Sequence, residues 1–148
     1  MLAQLILKLR SAIGLAIFSG IIFGPFMAQA DVIAERKANF KANAAALKAI
    51  NAALGGGDFD TVITQATTIA DWARVMPDYF PENSGTGDTK ARADIWMDFE
   101  GFKSRAFANE QAALTLISTA KTGDVSATIF ALKALGATCK SCHENFKD

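Results

Sequence analysis

With 148 residues, 51% of them apolar, 20% charged and only three prolines, the chain has the make-up of one compact domain, which excludes a repeat array or a disordered polymer. Fifteen basic and fifteen acidic side chains cancel. Lys8 and Arg10 fall in a segment expected to be removed, so the mature chain carries 13 basic against 15 acidic groups, a balance that offers no nucleic-acid footprint.

Residues 1–30 contain no acid, two early cations and an apolar stretch from Ile13 to Phe23, the layout of a secretory signal. The stretch ends at Gly24-Pro25, and Ala28-Gln29-Ala30 supplies the small residues a signal peptidase requires, which predicts cleavage after Ala30 and a mature domain over residues 31–148. Roughly 15 apolar residues interrupted by Gly and Pro fall short of the ~20 that span a bilayer, so an uncleaved anchor is the weaker reading and no membrane span is expected in the mature chain.

Four helices are then predicted. Ile33, Phe40, Leu47 and Leu54 recur every seven residues, with Ala44 and Ile50 filling the same stripe, until Gly55-Gly56-Gly57 ends the run. Asp58 caps a second helix carrying Val62, Ala66, Ile69, Ala73 and Met76, which Pro77 stops. A loop rich in Pro, Gly, Asn and Ser follows from Pro77 to Ala91. The third helix carries Ile95, Phe99, Phe102, Ala106, Asn109, Ala113, Leu116 and Ala120 and ends at Gly123. Asp124 caps the fourth, whose stripe is Val125, Ile129, Leu132, Gly136, Cys139, His143 and Phe146. Short connections make successive helices neighbours, so the expected fold is an all-α, antiparallel, up-down-up-down four-helix bundle. Met76 and Met97 are expected in or near its core.

Chemistry is concentrated in Cys139-Lys140-Ser141-Cys142-His143, the Cys-x-x-Cys-His arrangement of c-type haem attachment. Residues three apart on a helix are neighbours, so both thiols can reach the two vinyl groups of one porphyrin, and the next residue can face the iron. His143, the one histidine of the chain, would supply the proximal nitrogen. A disulfide or a dithiol redox pair would leave His143 unexplained, and zinc would lack a fourth ligand. There is no nucleophile with an adjacent base and no phosphate-binding glycine loop, so an enzyme is not expected.

The motif near the C-terminus, the stretch Glu35-Arg36-Lys37-Ala38-Asn39-Phe40, the pair Ile95-Trp96 and the approach Gly136-Ala137-Thr138-Cys139 together resemble the class II cytochromes c, above all cytochrome c′. The resemblance covers essentially all of residues 31–148. It implies one covalent haem c held by Cys139 and Cys142 with His143 on the iron, and places Arg36 against a haem propionate. Without that partner, a guanidinium on the apolar stripe would have to snorkel to solvent. Phe40 falls where related proteins carry either a methionine ligand or an apolar side chain over the distal face. A phenyl ring cannot ligate iron, so the resemblance implies five-coordinate haem. The alternative is a six-coordinate, low-spin c-556-like protein devoted to electron transfer. Lys37, Thr89 and Lys90 align loosely with positions at the haem edge. Electron transfer with an unidentified redox partner, binding of a diatomic gas such as NO or CO, a Gram-negative periplasmic location and a homodimer through the first two helices complete what the resemblance implies.

Overall fold

The computed structural model of the chain describes residues 26–148, with side chains from residue 31. The expected signal segment therefore lies outside the described residues, apart from its last five, which form the first turns of a helix. That helix, α1, runs Phe26–Gly56, and α2 runs Phe59–Val75 and passes into a 3-10 turn at Met76–Tyr79. Two further helices precede the last, α3 over Asp94–Met97 and α4 over Phe99–Ala120, and α5 covers Val125–Phe146. The four long helices pack antiparallel as a bundle, α1 on α2, α2 on α4 and α4 on α5. Among the described residues, no helix is long and apolar enough to cross a membrane.

The chain turns where its local chemistry dictates. Gly57 adopts φ +69° while its N–H reaches Leu54 O at 3.3 Å and the Asp58 N–H reaches Ala53 O at 3.0 Å, the paired bonds of a Schellman motif. Asp58 serves twice, because its Oδ1 also accepts from the Thr61 N–H at 3.0 Å and starts α2. Asp124 does the same for α5 through the Ala127 N–H at 2.9 Å.

The expected third helix is broken. Asp98 leaves helical geometry at φ −130° and ψ 63°, and its Oδ1 accepts from the Gly101 N–H at 3.0 Å, so one apolar period is served by two helices. A Cβ at Gly101 would lie 2.1 Å from Asp98 Oδ2, which explains glycine there. Ile95 and Phe102 on either side of the break still bury against one core. Met97, expected near that core, is 84% exposed.

The interior has two parts. One is aliphatic, with Ala46, Ile50, Val62, Ala66, Ile69, Ala113, Leu116 and Leu135. The other is aromatic, with Trp72, Met76, Phe80, Phe102 and Phe146 joined by Phe40 and Cys142. Phe102 holds the aromatic part together, with ring centroids 4.7 Å from Phe80 and 5.5 Å from Phe146.

On α1 and α5 the expected stripes are rotated away from this interior. The core side of α5 is Thr128, Ala131, Leu135 and Phe146, whereas Val125 and Ile129 are 42% and 39% exposed, Leu132 and Cys139 are half-buried, and Gly136 and His143 lie at the surface. On α1, Ile33, Ile50 and Leu54 are buried as expected, but Phe40 and Leu47 are half-buried and Ala44 is exposed. The physical reason is shared. Each helix has a second apolar flank with the same 3.6-residue period, and these flanks turn toward one another along a seam where α1 and α5 make at most a marginal backbone contact.

Candidate functional site

The site is built at the aromatic end of that seam. Cys139, Cys142 and His143 lie on the last two turns of α5, which α4 holds in place from the opposite side. Asn109, buried on α4, donates through Nδ2 to Thr138 Oγ1 at 2.8 Å and to Cys139 Sγ at 3.5 Å, and Arg105 Nη1 donates to Ser141 Oγ at 2.7 Å. Sequence reasoning placed Asn109 on the buried stripe without a role, and a polar residue at such a position was the available signal.

Both cysteines are free and half-buried. Burial pushes the Cys139 thiol up, against the hydrogen bonds from Asn109 and Thr138. The Cys142 thiol is pushed up to about 11, chiefly by burial and then by Cys139. Both thiols are therefore protonated near neutral pH. Burial, and then Lys147, lowers the His143 imidazole, which favours the neutral ring that metal ligation requires.

Across the seam, the Phe40 ring on α1 lies 6.4 Å from the His143 ring and 5.5 Å from Trp72, which in turn meets Tyr79 at 5.0 Å. The chain thus brings the imidazole and the expected distal phenyl ring together from positions 103 residues apart in sequence. No group of three or more His, Cys, Asp or Glu able to hold a metal ion occurs among the described residues.

Arg36 is 2% exposed, which eliminates snorkelling. Its Nη1 donates to Ser84 Oγ at 3.1 Å, and its Nη2 donates to Ser84 O at 2.7 Å and to Thr89 Oγ1 at 2.6 Å, while Cζ lies 4.6 Å above the Phe80 ring. Among the described residues it forms no ion pair, so this buried cation carries neutral hydrogen bonds and no counter-charge. Lys37 pairs with Asp88, and Lys90 is exposed, its carbonyl accepting from the Asp148 N–H at 3.0 Å. The loop over 80–92 is consequently tied on one side to α1 and on the other to the end of α5, where Arg92 N–H reaches Phe146 O at 3.0 Å. Ser84, which the sequence did not single out, is the buried anchor of that tie.

These residues suit a large planar group bearing carboxylates. The two facing flanks are apolar and half-exposed, and each such side chain gains up to about 1.5–3 kcal/mol on full burial. Arg36 lacks an anion, and Trp72 Nε1 is a buried donor without a hydrogen-bond partner; Asn43 Oδ1 is likewise unpartnered but, as an acceptor, is not one that a carboxylate would satisfy. The two thiols stand three residues apart beside the imidazole. Two surface clefts border the arrangement on sides away from the Phe40–His143 pair, about 440 Å³ at Phe80–Pro81–Trp96–Phe99 and about 220 Å³ at Arg105–Ala108–Ala137–Thr138–Ser141.

A helical bundle presenting Cys-x-x-Cys-His on its final helix defines the class of haem proteins in which comparison places the chain. The family model described as cytochrome C′ matches residues 31–147, and the chain belongs to that family. Cytochrome c′ of Rhodospirillum rubrum is 47% identical over 83 residues, a match spanning 55% of this chain and 56% of that one. Cytochrome c-556 of Agrobacterium fabrum is 31% identical over 145 residues, covering 95% of this chain and 97% of its own. Among solved structures, cytochrome c′ of Shewanella frigidimarina superposes with a TM-score of 0.74 at 32% identity, over 81% of this chain and 96% of that one. Another solved cytochrome c′ undergoes ligand-controlled dimer dissociation. Members of this family are haem proteins of electron transport rather than enzymes.

Proposed function

We propose that the chain is an exported mono-haem cytochrome whose haem c is bound covalently through Cys139 and Cys142, with His143 on an iron that is otherwise open behind Phe40. The observation that carries this reading is the facing pair of His143 and Phe40 across an apolar seam that α1 and α5 leave unjoined. Bound there, haem supplies one-electron chemistry and an iron position for diatomic gases such as NO or CO.

The residues have separable tasks. The thiols hold the group to α5, and Asn109 orients the turn that carries Cys139. His143 presents its neutral imidazole toward the seam. Phe40 keeps a non-ligating, apolar ring opposite it and sets a steric barrier to anything approaching from α1. Arg36 supplies positive charge for a propionate, and Trp72 Nε1 supplies a free donor. Thr89 lies beside Arg36, whereas Lys37 and Lys90 stand at the rim. A periplasmic location and a homodimer are part of this reading and rest on the family.

After periplasmic expression with haem-maturation machinery, the pyridine haemochrome should report one haem per chain that survives acid-acetone extraction. Haem that extracts completely would contradict covalent attachment. In the reduced protein, Phe40→Ala should bind CO at least about tenfold faster, since a steric barrier of about 1.4 kcal/mol corresponds to a factor of ten. An unchanged rate would remove Phe40 from the distal side. The c-556 relative bears on the alternative, a six-coordinate haem, for which a side chain other than Phe40 must reach the iron.

A further inference from the structure

We infer that the α1/α5 flank is a docking surface for an acidic protein that exchanges electrons with the haem, an inference that rests on the haem reading above. Lys37, Lys41 and Lys48 follow one another along α1 at steps of four and seven, which keeps them on one stripe beside Phe40 and Leu47. On α5, Lys133 and Lys140 are seven apart, and Lys147 follows after a further seven, just beyond the helix end. All six are exposed. Because α1 and α5 run antiparallel with Phe40 opposite His143, the two rows border the seam on either side, with Lys37, Lys140 and Lys147 at the Phe40–His143 end.

Few acids answer these cations locally. Asp88 pairs with Lys37, and Glu144 lies 3.7 Å from Lys140, whereas Lys41, Lys48 and Lys133 form no ion pair among the described residues. The acids are concentrated elsewhere. Residues 58–100 carry nine Asp and Glu against three Lys and Arg, so a nearly neutral chain is polarised, with its basic pole along the seam.

Such a field steers an acidic partner to the face that carries the exposed His143 and the half-buried thiols. Between the lysine rows, Leu47, Val125, Ile129 and Leu132 provide the apolar centre that a specific contact places inside a charged rim. An anionic lipid surface fits less well, because it favours a row of large exposed apolar side chains on the basic face, whereas Phe130 stands alone beside Lys133 and Met97 and Phe107 project from α3 and α4.

The test uses the haem-loaded protein and reduced flavodoxin as an acidic redox probe in stopped flow. Reduction should slow at least about tenfold between low salt and several hundred millimolar salt, as screening of a steered encounter requires. The variant K41E/K48E/K133E should lose a comparable factor at low salt while keeping the wild-type absorption spectrum and its rate with uncharged lumiflavin semiquinone. A flavodoxin rate indifferent to salt, or unchanged in the variant, would overturn the docking surface. So would binding of the wild-type protein to phosphatidylglycerol vesicles with the flavodoxin rate unmoved by charge reversal, which would assign the lysines to lipid. Absence of a haem spectrum in the wild-type protein would overturn the proposed function, and the docking surface with it. A normal haem spectrum with charge-indifferent kinetics would overturn the docking surface alone.

Discussion

The two ends of this bundle are built to different rules. The aliphatic end closes on alanines, isoleucines and leucines of all four long helices, and its buried polar group, Thr128, is satisfied by Asp124 O at 2.6 Å. The aromatic end contains a buried guanidinium with no anion, an indole N–H and an amide oxygen with no partner, and a seam between α1 and α5. Ordinary packing explains the first completely. The second makes physical sense as a site, because the unpaired guanidinium, the indole N–H and the open seam each cost stability and each suits the planar, carboxylate-bearing cofactor proposed above, while the Asn43 amide oxygen is an acceptor that a carboxylate does not serve.

The largest effect that separates the two ends is loss of the cofactor. Cys139→Ser/Cys142→Ser should abolish acid-acetone-resistant haem altogether while leaving the aliphatic end intact, as haemochrome assay and circular dichroism together would show. Leu135→Ala, a fully buried truncation at the other end, should lower the free energy of unfolding by about 2–5 kcal/mol in denaturant titration, with the optical spectrum of the haem unchanged. If that spectrum moved instead, the two ends would not be separable.

Smaller effects probe the ties between them. Arg36→Met removes the donors to Ser84 and Thr89 and should cost about 1.5–3 kcal/mol, with faster hydrogen exchange confined to the loop over 80–92. Uniform acceleration of exchange would show that Arg36 supports the whole bundle rather than the mouth of the site. The smallest change is expected for Asp98→Ala, about 1 kcal/mol, from the lost cap on α4. A negligible change would mean that the break at Asp98 is fixed by packing alone.

Caps and stops were legible in the sequence because they are local. Asp58, Asp124, Gly57 and Gly123 all act within a few residues of themselves. Asp98 escaped notice because apolar period continues through it, and period records which side is buried rather than whether the backbone is continuous. The stripes read on α1 and α5 were real apolar flanks, but a single period cannot distinguish a flank facing the core from one facing the seam. The Cys-x-x-Cys-His motif was legible for the same local reason as the caps. The partners of Arg36 were not, since Ser84 and Thr89 lie 48 and 53 residues away and only the fold brings them together.

The measurement that tests the central claim most directly is the optical spectrum of the dithionite-reduced protein before and after addition of CO. An iron held by His143 and left open behind Phe40 predicts a broad high-spin reduced spectrum that shifts sharply with CO. Sharp low-spin bands indifferent to CO would contradict it, showing that a second side chain of the protein ligates the iron.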